Sequence, residues 1–184
     1  MKPEVVASEL IYKGRVFDVL LAKVAEGNVT YDREIVSHNG SAVIVPIFSD
    51  GTIGLVRQYR HAAGKYLLEI PAGSIEENEN PEQCAIRELR EEIGVSAGKL
   101  EKLTEFFVSP GFLSEKMFVY VASDLTHIGQ DLEYDELIQV ERLDFPTIFR
   151  MIINGEFEDA KTMLSLILTA IKFGIINVRI DLID

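Results

Sequence analysis

Cysteine is almost absent from this chain of 184 residues. With Cys84 alone there is no disulfide within the chain and no cysteine-rich metal centre, and its helical setting makes it a small buried residue rather than a nucleophile. Long apolar runs are missing too. The most apolar stretch, residues 163–171, is too short to span a bilayer and is flanked by Lys161 and Lys172. The opening MKPEVVASEL has no basic start followed by an apolar run, so no secretory signal is expected, and a soluble cytoplasmic protein is. Basic charge is scarce, with 18 Lys and Arg against 30 Asp and Glu and a formal charge of −12. Such a surface disfavours nucleic acid and anionic membranes as partners, and an anionic substrate would need local arginines and metal ions. His38, His61 and His127 show no metal-ligand spacing, so ordinary surface or core places are expected for them. No glycine-rich phosphate loop of the Walker or Rossmann type occurs, and no repeat or low-complexity segment.

What is present suits one domain with a small appendage. Residues 15–24, 29–31 and 33–37 read as short strands broken at Gly27-Asn28. Residues 42–48 and 52–59 flank Asp50-Gly51, a hairpin signal. Residues 67–70, 100–108, 117–123 and 137–143 add strands. Residues 145–153 and 161–173 read as helices separated by Asn154-Gly155, and the second, apolar nearly all round, is expected to be buried. The tail from Ile175 to Asp184 is apolar in pattern and receives no role.

Residues 73–95, GSIEENENPEQCAIRELREEIGV, carry the chemistry. Asn80-Pro81-Glu82-Gln83 combines a capping residue, a proline at the first helical position and a Gln three residues after the cap. A helix is therefore predicted from about Pro81 to Ile93, ended by Gly94, with Ala85, Ile86, Leu89 and Ile93 on its core face. Glu88, Glu91 and Glu92 fall at i, i+3 and i+4 and form an acidic stripe. Carboxylates this close repel unless a cation neutralises them, and a hard ion such as Mg²⁺ or Mn²⁺ is the natural occupant. Arg87 is placed to pair with Glu91, and Gly73 to let the backbone approach the ions closely. For an arbitrary helix a solvated acidic face is the better reading. The fixed order of Gly73, Glu79, Arg87, Glu88, Leu89, Glu91, Glu92, Gly94 and Val95 reverses that preference.

That box resembles the signature of the Nudix hydrolases. Beyond it, Pro110 in Ser109-Pro110-Gly111-Phe112-Leu113-Ser114-Glu115 resembles the ADP-ribose pyrophosphatase branch. So do Val56-Arg57-Gln58-Tyr59-Arg60, Leu68-Glu69-Ile70-Pro71-Ala72-Gly73, Gly14-Arg15-Val16-Phe17 and Arg33-Glu34. The resemblance implies an α+β fold, an α/β/α sandwich with a mixed sheet in residues 41–184, preceded by a β-rich extension, residues 1–40, used for dimerisation. It implies that the Ala72 carbonyl, Glu88 and Glu92 bind metal, Mg²⁺ with Mn²⁺ as the alternative, and that Glu91 supports them. Arg33, Glu34 and Arg60 would contact substrate, Arg60 by neutralising phosphate, and Glu115 would reach the ribose phosphate side or the metal shell. The acidic loop 131–136 would supply a base and a further metal ligand. The branch commonly has two glutamates separated by one residue there, and this chain has Tyr134 two before Glu136. Glu136 fits one place; Glu133, Asp135 or neither fills the other. The implied activity is hydrolysis of ADP-ribose to AMP and ribose 5-phosphate by a homodimer, in which Tyr12, Phe17 and Arg33 are candidates for contacts across the subunits. The rivals are a nucleotide-sugar pyrophosphatase of the GDP-mannose kind and a ligand-sensing domain without catalysis.

Overall fold

The structure, a computed structural model, describes residues 2–134 and 136–176. Asp135, one of the candidate bases, and the tail from residue 177 onward lie outside the described residues. Strands β1 (Glu4–Lys13), β2 (Asp18–Glu26) and β3 (Val29–Ser37) form an antiparallel sheet of their own. The sequence indicated no strand at β1, and residues 14–17, read above partly as strand, are a turn in which the Gly14 amide donates to the Phe17 carbonyl. The extended stretch 29–37 is one strand rather than two.

The remaining strands are β4 (Ser41–Pro46), β5 (Ile53–Arg60), β6 (Lys65–Glu69), β7 (Ala72–Ser74), β8 (Val95–Phe107), β9 (Lys116–His127) and β10 (Gln139–Leu143). They form two sheets. One is mixed, ordered β7-β4-β9-β8 with β4 parallel to β9, and the other is antiparallel, ordered β10-β5-β6. Helix α1 (Pro81–Glu88) continues into a π-helical turn, Leu89–Ile93, and α2 (Phe145–Ile153) and α3 (Ala160–Lys172) follow β10. No helix among the described residues is long and apolar enough to cross a membrane.

The period of two along β4 builds the sandwich. Ala42 and Ile44 face α1 together with Cys84, Ala85, Leu89 and Ile93, while Val43 and Val45 face the opposite layer with Phe145, Ile148, Leu166 and Ala170. All six residues of β4 are buried, as expected of a strand covered on both faces, and each large aliphatic side chain there contributes roughly 1.5–3 kcal/mol by leaving water.

Two expectations about helix faces need correction. Ile86 is exposed, because Cys84 takes the buried place beside Ala85. Helix α3 is not buried all round, since Leu164 and Ile171 are exposed and its buried face includes Thr162, Ser165 and Thr169. Two of the three hydroxyls bond to the backbone, whereas Ser165 Oγ meets no partner among the described residues. Thr169 donates to the Ser165 carbonyl at 2.7 Å, and Thr162 Oγ1 accepts the Ile70 amide at 3.0 Å. The second bond fastens α3 to the segment leading into the box.

Candidate active site

The box helix starts as its sequence dictates. Asn80 Oδ1 accepts the Gln83 amide at 2.9 Å and Gln83 Oε1 accepts the Asn80 amide at 3.0 Å, a complete capping box with Pro81 at the first turn. Gly94 ends the segment in the left-handed conformation, φ 73°. The regular i, i+3, i+4 stripe expected for Glu88, Glu91 and Glu92 is altered by the π turn, which widens the helix between them. Glu88 and Glu92 are buried, at 7% and 3% exposure, and Glu91 is half-buried.

Arg87 holds the group together. Its Nε and Nη2 donate to the two oxygens of Glu79 at 2.9 and 3.0 Å, and its Nη1 donates to Glu88 at 2.6 Å and to Glu91 at 3.0 Å. These bonds, those to Glu79 foremost, raise the arginine's pKa further. Glu91 is thus paired with Arg87 and does not line the cleft described below. Cys84 packs beneath, its thiol pushed up to about 12 by burial, which makes it inert.

Glu92 reaches back to β7, where it accepts the Ala72 amide at 3.0 Å. Gly73 lies so close to Glu88 that a Cβ there would fall 1.7 Å from Oε1, so only glycine lets this carboxylate sit against the strand. Burial pushes the Glu88 pKa up to about 7, against the pull of Arg87. Burial, with Glu88 alongside, pushes Glu92 to about 8. Two buried carboxylates that hold protons this tightly form a donor set suited to a hard divalent cation. Among the described residues no three Asp, Glu, His or Cys side chains converge tightly enough to enclose an ion, so carbonyl and water oxygens would have to complete its shell.

Two adjoining recesses of about 590 and 600 Å³ meet at Val16, His38, Arg60, Ala72, Gly73 and Ser74. One is lined largely by apolar side chains, Phe17, Val36, Phe112, Leu113 and Met117 among them, and also by Glu115. The other holds Arg87, Glu88, Glu133 and Glu136. Glu136 is close enough to Glu88 and Glu92 that its charge adds to their raised pKa values, and its amide donates to the Glu133 carbonyl at 3.1 Å. Glu115 accepts the Ser41 hydroxyl at 2.6 Å.

Arg60 reaches both recesses but is not a lone cation. Its Nε and Nη2 donate to Glu69 at 2.8 Å each, and Lys161, itself 2.9 Å from Asp159, donates to the same carboxylate. Burial pushes Glu69 up, but the Arg60 hydrogen bonds and the Lys161 charge outweigh it and hold its pKa below the usual value. Neither Glu69 nor Lys161 was expected from the sequence, because Lys161 meets Glu69 across 92 positions and no local pattern marks such a pair. Arg33 and Glu34 stand apart. Within one chain they line a separate groove with residues 110–114, and Arg33 lies over the Tyr31 ring at 4.1 Å. His38, expected in an ordinary surface or core place, lines both recesses.

A family model for the NUDIX domain matches residues 38–165. An ADP-ribose pyrophosphatase of Bacillus subtilis is 35% identical over 88% of this chain and 89% of its own length. The methanol dehydrogenase activator of Bacillus methanolicus is 34% identical over 87% and 88%. A GDP-mannose pyrophosphatase of Salmonella typhimurium is 33% identical over 76% and 84%. A crystal structure described as an ADP compounds hydrolase superimposes with a TM-score of 0.82 at 27% identity, over 95% of this chain and 96% of the other.

Proposed function

Since this chain belongs to the Nudix family and is a Nudix hydrolase, we propose that it cleaves the diphosphate of ADP-ribose, giving AMP and ribose 5-phosphate, with Mg²⁺ as cofactor. The observation that carries the reading is the bipartite cleft, in which an apolar recess suited to a nucleoside adjoins a recess lined by carboxylates. Similarity to the Bacillus subtilis enzyme supports ADP-ribose as the substrate.

Glu88, Glu92 and the Ala72 carbonyl are the groups to hold the metal, which when bound would neutralise diphosphate charge and lower the pKa of a water. Arg87 fixes Glu88 and Glu91. Glu136, with Glu133 beside it, takes the proton from the attacking water. The water oxygen bonds to one phosphorus as the bridging P–O bond breaks, so no covalent enzyme intermediate is needed. Arg60, held by Glu69, presents its guanidinium to phosphate, and Glu115 orients the ribose phosphate side.

The enzyme works in the cytoplasm as a homodimer joined through residues 1–40. Two features support the dimer: Arg33 and Glu34 lie off the cleft within one chain, and β1 exposes Val5, Val6, Leu10, Ile11 and Tyr12. Similarity to the Salmonella enzyme favours GDP-mannose as the second reading. Incubation with each nucleotide and Mg²⁺ or Mn²⁺, followed by chromatography of products, decides between them. AMP from ADP-ribose at much the higher kcat/KM is expected; GMP from GDP-mannose in its place would shift the substrate, and no turnover of either would leave a ligand-sensing domain.

A further inference from the structure

His38 joins the two halves of the cleft, and we infer that its Nε2–H is a substrate-binding donor that grips a diphosphate oxygen at the waist between them. The backbone fixes the ring. Nδ1 accepts the amide hydrogen of Gly40 at 3.0 Å, so it carries no proton, and the hydrogen of the imidazole sits on Nε2. Glu115 Oε1, at 4.0 Å from Nδ1, is too far to replace that bond. Nε2 then faces Ser74 Oγ at 3.4 Å, beyond the usual N–H···O range, so a phosphate oxygen at closer approach would be the stronger acceptor.

The ring is held on its backbone side as well. Ser114 Oγ accepts the His38 amide at 2.9 Å and donates to its carbonyl at 3.2 Å, and the Gly40 carbonyl accepts the Ile75 amide at 3.0 Å. His38 is therefore locked between β7 of the box and the loop that carries Glu115, with its side chain only 7% exposed. Six residues line both recesses, and among them the polar side chains are His38, Arg60 and Ser74. Arg60 is engaged with Glu69 on two nitrogens. A substrate whose nucleoside lies at the apolar end and whose diphosphate lies at the acidic end must pass this waist. A fixed N–H there selects an acceptor oxygen without adding charge.

This inference rests on the pyrophosphatase reading, and two substitutions separate binding from scaffolding. Asn at position 38 can accept the Gly40 amide in an Asx turn but places no donor where Nε2 stands. Gln reaches the Nε2 position with an amide donor but gives up the bond to Gly40. For His38→Asn we expect an unchanged Tm and a KM for ADP-ribose raised roughly tenfold, with kcat little altered, as for loss of one hydrogen bond to an anion. His38→Gln should lower Tm while keeping KM within a few-fold of wild type. An unchanged KM in His38→Asn overturns the inference, and so does a KM that rises only in step with a falling Tm in both variants. Wild-type protein that turns over neither ADP-ribose nor GDP-mannose overturns the functional reading and this inference with it.

Discussion

A carboxylate buried as deeply as Glu92 needs either a proton or a cation, and the choice depends on pH. Its pKa of about 8 in the fold stands well above the ordinary glutamate value of 4.5. Between those values the folded state binds more protons than the unfolded state, so stability of the metal-free protein falls as pH rises through that window. Glu88, at about 7, acts in the same direction. Glu92→Gln keeps an acceptor for the Ala72 amide and removes the charge. Its metal-free form should melt a few degrees above wild type at pH 8.5, and the difference should vanish near pH 5. Turnover should nevertheless fall by orders of magnitude, as should that of Glu88→Gln. Differential scanning calorimetry in chelator, paired with a product assay at saturating Mg²⁺, tests both halves. Near-normal activity of Glu92→Gln would remove it from the metal-binding set. Added Mg²⁺ should raise the wild-type Tm more at pH 8.5 than at pH 6, because only the deprotonated pair competes for the ion.

The junction of β7 with α1 carries the geometry that those carboxylates need. Gly73→Ala would drive a Cβ into Glu88, and if that carboxylate holds metal as proposed, a displacement of about 1 Å can cost on the order of a hundredfold in rate. We expect kcat to fall at least that far with the circular dichroism spectrum retained; full activity would show that Glu88 can move without loss. The loop before β10 offers a second test, in which Glu136→Gln should lower kcat more than it raises KM, and a benign Glu136→Gln beside an inactive Glu133→Gln would move the base to Glu133. The box was legible because its logic is local: a cap, a period and a terminating glycine lie within one short stretch. Strand β1 was not legible, since all ten of its residues are exposed in the single chain and no buried face imposes alternation on EVVASELIYK. The π turn left no mark in the pattern that would distinguish it from a regular helix. The Arg60, Glu69 and Lys161 cluster was missed for a different reason, as its members come together only when β5, β6 and α3 pack. His38 looked like any lone histidine until the loop carrying Ser114 and Glu115 folded against it.

At the scale of the whole molecule, the sheet of β1, β2 and β3 poses the main question. It meets the rest of the chain through the loop after β8, where the Val36 amide donates to Phe112 at 2.8 Å and the Ser114 amide to Val36 at 2.9 Å. A three-stranded sheet with one strand wholly exposed buries too little to stand alone, and a twofold partner would cover it. Deleting residues 1–38 should then yield a monomer or an aggregate with weak substrate binding, although the box is intact; a soluble, fully active monomer would show the extension to be dispensable. A sharper test uses Arg33. If its guanidinium serves the partner's cleft, Arg33→Ala should raise KM, and Glu92→Gln should be inactive through its own site. Mixing the two by co-refolding creates heterodimers in which one site has both Glu92 and an intact Arg33 from the other subunit. Activity at wild-type KM should reappear in proportion to the heterodimer fraction. Kinetics of the mixture that merely average the two parents would mean that Arg33 does not act across a subunit boundary, and the dimer would lose its role in binding even if sedimentation shows that it forms.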